Sequence, residues 1–169
     1  MHQTYLETQA ETHYEPDCSP EQIEQVLCAL DRWSDRTSKH VTYQRASDRH
    51  DYRTTIIVEI SEPTLSEGPR QLFHVPTRNV SKTGIGFIAP PVFLPRLLSD
   101  STPLIRTETV FRPGLKIKVT LGSPTGTMPT LCAEIVRCRT VHFGFFEIGV
   151  RFLDRELSSL QDGPVASES

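Results

Sequence analysis

The spacing of hydrophobic residues changes from a helical period to a strand period along the chain. From Ile23 to Trp33, apolar residues recur every three or four positions, which predicts one apolar helix face. Ser19 is suited to cap the first turn, and Gln22 completes a capping box with it. These signals predict an amphipathic helix over 19–34. Its apolar face must be covered, either by the domain that follows, which is the simpler interpretation, or by a partner.

Apolar and polar residues alternate from residue 54 onward, which is the pattern of half-buried strands. Thr54, Ile56, Val58 and Ile60 share one face of the first such segment. Five further segments carry the same pattern or are short apolar runs between turns: 71–80, 84–88, 115–121, 131–140 and 147–153. Many short strands separated by turns predict a small antiparallel barrel or sandwich, and a barrel leaves no exposed edge.

Two features interrupt the strand series. Pro76 lacks the amide proton that a sheet ladder needs, so it predicts an edge or a bulge in the second strand. Residues 89–113 contain five prolines and predict a long insertion between strands.

The chain ends carry little pattern. Residues 1–18 are polar and acidic, which predicts a disordered leader, and residues 156–169 predict a flexible tail. Residues 35–44 are interpreted as a linker between the helix and a domain over 45–155.

Composition limits the class of protein. A chain of 169 residues with 37% hydrophobic residues can build one core. Eighteen Lys and Arg against 21 Asp and Glu give a net charge of −3, which disfavours a protein that coats a nucleic-acid polymer. No apolar run reaches the roughly 20 residues of a membrane span, and no signal peptide is visible, so we expect a cytoplasmic protein.

Enzyme and metal signatures are missing from the sequence. The four cysteines form no CxxC pair, and the six histidines are scattered, so no metal site or disulfide framework is predicted. The sequence also lacks a P-loop, a nucleophile elbow and a dinucleotide fingerprint. We therefore expect a binding protein that is not an enzyme and has no cofactor.

An arginine-rich arm precedes the first barrel strand. Arg45, Arg49 and Arg53 recur every four residues. A guanidinium presents paired donors that match a phosphate or the edge of guanine. The same spacing also fits a solvated helix face on which arginines pair with Asp48 and Asp51.

A second polar segment, Asn79-Val80-Ser81-Lys82-Thr83-Gly84, follows the second strand. Asn79 and Ser81 point to the same side of an extended chain, and an amide with a hydroxyl can read a guanine edge. Gly84 permits a positive φ or a close backbone approach. Taken alone, the segment is also an ordinary turn.

In this order, the two segments resemble the motifs of the PilZ domain family, RxxxR followed by (D/N)xSxxG. Arg49 to Arg53 fits the first motif and Asn79 to Gly84 fits the second. The resemblance continues through Pro113-Gly114-Leu115 and Ile148-Gly149-Val150-Arg151-Phe152. It implies a six-stranded antiparallel β-barrel; with the amphipathic helix that the hydrophobic pattern predicts, the expected fold is mainly β, a small barrel with an N-terminal amphipathic helix.

The resemblance also implies a ligand, the bacterial second messenger cyclic di-GMP. Arg49 and Arg53 would contact its phosphates and guanines, Asn79 and Ser81 would hydrogen-bond a guanine, and Gly84 would shape the turn. Many members carry another arginine directly before RxxxR, where this chain has Asp48. That difference favours one ligand per domain, although Arg45 could substitute.

Two functions are compatible with the sequence. In the first, ligand binding changes the conformation of the receptor, which signals to a downstream protein through the helix 19–34 or the insertion 89–113. In the alternative, the chain is a PilZ-like adaptor that binds proteins and no nucleotide.

Overall fold

Six strands, in which buried and exposed residues alternate, pair to form a closed barrel. The computed structural model describes residues 11–38, 50–51, 53–60, 70–97, 102–122 and 129–153. The elements in these ranges are β1 (Glu11–Pro16), α1 (Pro20–Ser38), β2 (His50–Asp51), β3 (Thr55–Ile60), β4 (Arg70–Val80), β5 (Gly84–Ala89), β6 (Val92–Pro95), β7 (Ile105–Arg106), α2 (Thr107–Val110), β8 (Lys116–Thr120), β9 (Thr130–Thr140) and β10 (Phe146–Phe152). A single 3₁₀ turn, His142–Gly144, joins β9 to β10.

The barrel strands follow the order β3-β8-β9-β10-β5-β4, and β4 pairs with β3 to close the ring. Every neighbouring pair is antiparallel. The expected six-stranded antiparallel barrel with one helix near the N-terminus is therefore confirmed. Its interior is filled by the alternating residues that the sequence pattern identifies, among them Ile56, Val58, Ile117, Val119 and Ile148.

Pro76 lies where β4 changes partners along one of its edges. The amide of Thr77 donates to the Thr54 carbonyl at 2.8 Å, so the nitrogen of Pro76 faces the opposite edge. On that edge, β1 pairs with β4 up to Phe73 and β5 pairs from Thr77. The missing amide proton thus falls in a gap between two neighbours, which explains how proline is tolerated within this strand.

Residues 11–16 form a strand, where the sequence predicted part of a disordered leader. β1 runs parallel to β4 and antiparallel to β6. Tyr14 is buried and stacks on Phe73 with ring centroids 5.1 Å apart. The negative charges are neutralised, since Glu11 pairs with Arg70 and Glu15 with Arg96. Residues 1–10 of the predicted leader lie outside the described residues.

The predicted insertion 89–113 contributes to the fold. β6 and β7 pair with each other and extend the sheet beyond β1. Phe93 and Phe111 are buried and both contact Phe73 edge-on, at 5.0 and 5.2 Å between centroids. The aromatic residues of this segment therefore close one side of the core. Residues 98–101 lie outside the described part.

Helix α1 begins as predicted and ends later. The Gln22 amide donates to Ser19 Oγ at 3.2 Å and the Ser19 amide to Gln22 Oε1 at 3.0 Å, which is the expected capping box. The helix continues to Ser38, so the first four residues of the predicted linker are helical. Residues 39–44 of that linker, and the predicted tail 156–169, lie outside the described residues.

The apolar face of α1 packs on the barrel wall. Val26, Leu27 and Leu30 are buried against Ile88 of β5 and Phe145. The domain that follows therefore covers this face, as in the simpler of the two interpretations. This docking positions Asp31 and Ser34 of the helix over the ends of β4 and β10.

Candidate functional site

The corner between β4 and β5 is a tight turn held by Ser81. The Ser81 amide donates to the Gly84 carbonyl at 2.8 Å. The Thr83 amide donates to Ser81 Oγ at 3.3 Å, and that hydroxyl lies 3.4 Å from the Gly84 carbonyl oxygen. The hydroxyl is thus fixed at the surface of the corner.

Gly84 is required here by a close backbone approach. A Cβ atom at this position would lie 2.0 Å from the carbonyl oxygen of Val150 on β10. The φ of Gly84 is outside the left-handed region. Among the described glycines, Gly114 and Gly144 have a φ in that region. The sequence allowed two roles for Gly84, a positive φ or a close backbone approach, and the structure shows the close approach.

Asn79 lies over a second glycine. The register between β4 and β5 shifts between Thr77 and Asn79, and Asn79 then pairs with Gly86. A Cβ atom on Gly86 would lie 2.7 Å from Asn79 Oδ1, so only glycine leaves room for the amide. The bulge therefore directs the Asn79 side chain along the outer surface of the barrel.

A groove of about 430 Å³ opens on this surface, within the ~300–1,000 Å³ range of small-ligand sites. Its lining includes Gly84, Gly86 and Gly149, and the side chains of Asn79 and Arg137 lie over Gly86 and Gly149. The residues around it are Asn79, Ser81, Thr83, Ile85, Val136, Arg137, Val150 and Arg151. Glycines, two cations, an amide and a hydroxyl suit a flat ligand that carries negative charge.

The arginine-rich arm reaches this groove through backbone pairing. In β2, His50 pairs with Val80 and Asp51 with Asn79. These two residues of the arm therefore run antiparallel to the last residues of β4, beside the motif that sequence reasoning placed with the arm. Arg45 and Arg49 lie outside the described residues.

Arg53 does not point into the groove. Its Nη2 donates to Asp31 Oδ2 on α1 at 2.5 Å, and both side chains are partly exposed. Of the predicted site residues, the structure brings Asn79, Ser81 and Gly84 together and places the Arg53 guanidinium against the helix.

A buried charge cluster lies beneath α1, next to the groove. Glu147 is 2% exposed and pairs with Arg78 and Arg139, and Arg137 lies 3.5 Å away. Burial alone would raise the pKa of Glu147, but the charges of the three arginines outweigh burial and hold that pKa below its usual value. The carboxylate is therefore ionised at neutral pH.

Arg78 connects the same cluster to the helix. Its Nη1 donates to Glu147, and its Nη2 donates to the Leu30 carbonyl at 3.1 Å and to Ser34 Oγ at 2.6 Å. Trp33 adds a further contact, with Arg139 positioned 4.8 Å from the centroid of its ring. Helix docking thus depends on charge as well as on apolar packing.

Sequence reasoning missed Asp31, Arg78, Arg137 and Glu147. Arg137 and Glu147 occupy outward positions next to core residues of β9 and β10, so the strand pattern assigned them to solvent. The available signal was the apolar face of α1, which had to lie on some outer surface of the barrel. Arginines concentrated on adjacent outward positions mark that surface.

No metal-binding arrangement of three or more His, Cys, Asp or Glu side chains occurs in the described ranges. Within those ranges, neither helix combines the length and the hydropathy that crossing a bilayer requires.

Solved structures of three proteins are similar to this chain at low identity. Bacillus subtilis inhibitor of motility (MotI/DgrA) has a TM-score of 0.45 at 13% identity, over 70% of this chain and 47% of that chain. K. pneumonia MrkH, in complex with c-di-GMP, has a TM-score of 0.47 at 10% identity, over 72% of this chain and 49% of that chain. The PilZ domain of Escherichia coli YcgR, with c-di-GMP, has a TM-score of 0.39 at 12% identity, over 72% of this chain and 82% of that chain. The match thus spans about half of the first two proteins.

A comparison with curated proteins found no matching sequence. The model of the PilZ domain family matches residues 43–162, which is more than half of the chain. That range includes both segments that carry the resemblance and all six strands of the barrel. The chain therefore belongs to the PilZ domain family.

Proposed function

We propose that this chain is a receptor for cyclic di-GMP. The observation that carries the proposal is the pairing of His50 and Asp51, which form β2 in the arm, with Val80 and Asn79, next to the groove that Asn79, Ser81 and Gly84 line. Family membership supports it, since PilZ domains are binding domains. Two of the similar structures, MrkH and the PilZ domain of YcgR, contain c-di-GMP according to their descriptions.

The chemistry of the groove supports a guanine ligand. Asn79 and Ser81 supply an amide and a hydroxyl that line the same groove. Arg137, which lies over Gly149, supplies a cation in the lining of the groove. In the proposal, one guanine lies in this groove and is read by Asn79 and Ser81.

The arm supplies the charges for the phosphates. Arg49 directly precedes His50, and in the proposal its side chain would contact a ligand in the groove. Arg53 would exchange its contact with Asp31 for a contact with the ligand. Each guanidinium-to-phosphate contact contributes about 1.5–3 kcal/mol, which corresponds to roughly 10- to 150-fold in affinity. We also propose that Arg45 makes a further contact with the ligand. The proposed stoichiometry is one ligand per chain.

We extend the proposal to signalling. Ligand binding would order the arm over the groove and change how α1 is held, and a downstream protein would read that change through α1 or through the segment 89–113. As the receptor of a bacterial second messenger, the chain would act in the cytoplasm without catalysing a reaction.

Isothermal titration calorimetry with cyclic di-GMP tests the receptor proposal. We expect saturable binding at one ligand per chain, weakened by added salt, with much weaker binding of cyclic di-AMP because its adenines lack the guanine edge groups. Absence of binding to cyclic di-GMP would favour the alternative, an adaptor with this fold that binds proteins through the helix and the segment 89–113.

A further inference from the structure

Asp31 stands between two arginines that belong to different parts of the molecule. Its Oδ2 accepts a hydrogen bond from Arg53 of the arm at 2.5 Å. Its Oδ1 lies 3.8 Å from Nε of Arg78, which is on the barrel. A distance of 3.8 Å permits Coulomb attraction but exceeds hydrogen-bond length. Asp31 therefore bonds to the arm and only approaches the barrel.

The Nε of Arg78 is a buried donor with an unused bond. Arg78 is 6% exposed, and within the described residues its Nε has no hydrogen-bond partner. The other two guanidinium nitrogens are occupied by Glu147, the Leu30 carbonyl and Ser34. A buried donor without a partner is unfavourable, so a carboxylate that moved onto Nε would be stabilised there. The carboxylate of Asp31 lies 3.8 Å from this nitrogen.

We infer that Asp31 is a positioning residue that exchanges Arg53 for Arg78 when ligand binds. The inference rests on the proposed function, since it requires a phosphate that competes with Asp31 for Arg53. A phosphate and a carboxylate both occupy the same donor face of a guanidinium, so binding of one displaces the other. Once released, Asp31 needs a shift of about 1 Å to reach hydrogen-bond distance from Arg78 Nε.

The direction of the resulting change follows from the chain positions. Asp31 lies between Leu30 and Ser34, which already accept hydrogen bonds from Arg78. A third bond from the same helix to the same arginine fixes α1 more firmly on the barrel. Ligand binding thus converts a contact between arm and helix into a contact between helix and barrel. The helix becomes more tightly docked, and it does not detach.

Hydrogen exchange of the α1 amides, measured by mass spectrometry with and without cyclic di-GMP, tests this inference. In the wild-type chain, we expect saturating ligand to slow exchange in the half of α1 that contains Asp31 by about tenfold, the effect of one additional bond to a charged group. In Asp31→Ala, ligand should leave helix exchange unchanged. Glu24→Ala, which removes an acid from the same helix at an exposed position, should respond like the wild type.

The outcomes separate this inference from the receptor proposal. Calorimetry on the same samples reports binding independently of the helix. Binding without slower exchange in wild-type α1, or slower exchange that persists in Asp31→Ala, overturns the inference and leaves the receptor intact. Absence of binding overturns both. Unchanged exchange in the wild-type helix overturns the inference without any variant, so a folding defect in Asp31→Ala does not remove the test.

Discussion

Arg78 on β4 and Glu147 on β10 form an ion pair across the intervening strand β5, beneath helix α1. Glu147 is paired in register with Ile88 of β5, which contacts the apolar face of the helix. The charged pair and the apolar contacts therefore support the same element. Because this pair also contacts Arg137 at the edge of the groove, the groove and the helix share one set of interactions.

Glu147→Gln should strongly destabilise the fold. It leaves Arg78 buried beside two further arginines without a countercharge, and loss of one partner of a buried pair costs about 3–5 kcal/mol. Urea denaturation measures the free energy of unfolding. Glu24→Gln, at an exposed position of α1, should change it by less than about 0.5 kcal/mol. Equal small effects in both variants would mean that the cluster contributes nothing to stability.

The unfolding free energy should decrease as the pH falls from about 7 to about 5. The pKa of His74 is lowered from 6.5, first by burial and also by Arg96 and His13, against the opposing effect of Glu15. The unfolded chain therefore binds the proton first, which favours unfolding below pH 6.5. The bond between His13 Nδ1 and His74 Nε2, 2.8 Å long, also needs at least one neutral ring.

Denaturation curves of His74→Gln across that pH range provide the check. The slope of stability against pH should flatten in His74→Gln. It should persist in His142→Gln, which alters an exposed ring on the 3₁₀ turn. If the slope of stability against pH is the same in His74→Gln and in the wild type, other groups cause the pH dependence.

The barrel was predictable because its strands repeat a strict alternation over short stretches. Strand β1 was not, because Tyr14 is the one fully buried residue in it, and charge suggested a solvated leader. The partners that neutralise its acids are distant in sequence: Arg70 is 59 positions after Glu11, and Arg96 is 81 positions after Glu15. Nothing local in the sequence reports such pairing.

Tyr14→Ala should test whether β1 belongs to the cooperative fold. The ring of Tyr14 is 3% exposed and stacks on Phe73, and loss of a buried aromatic side chain costs about 3–5 kcal/mol. Chemical denaturation measures that cost. Trp33→Ala, which truncates a half-exposed aromatic on α1, should cost clearly less. A loss below about 1 kcal/mol for Tyr14→Ala would place β1 outside the stable core.

Gly84→Ala should be poorly tolerated. The added methyl group would meet the Val150 carbonyl at 2.0 Å, and backbone must move to relieve it. We expect a loss of about 2 kcal/mol or more in unfolding free energy, at the upper part of the overpacking range. Gly122→Ala is the matched control, since its nearest contacts are at 3.9 Å. Similar melting temperatures for the two variants would contradict the close approach at Gly84.

The arrangement of the corner at Asn79, Ser81 and Gly84 was easier to predict from the sequence than the position of Arg53. Asn79, Ser81 and Gly84 lie within six consecutive residues, so local backbone geometry determines their relationship. The position of the Arg53 side chain depends on how α1 docks, because its partner Asp31 is 22 residues earlier. Docking in turn depends on Arg78 and Glu147, which are 69 residues apart. Such long-range relationships are properties of the folded structure and not of a motif.

The most direct test of the account is calorimetric titration of cyclic di-GMP into the wild-type chain, Arg49→Ala/Arg53→Ala and the control Arg106→Ala. Arg106 is exposed and lies on β7, outside the groove. Circular dichroism should show that all three chains are folded. We predict that the double variant loses at least about 100-fold in affinity and that Arg106→Ala binds like the wild type. Wild-type affinity in the double variant would contradict the proposed site.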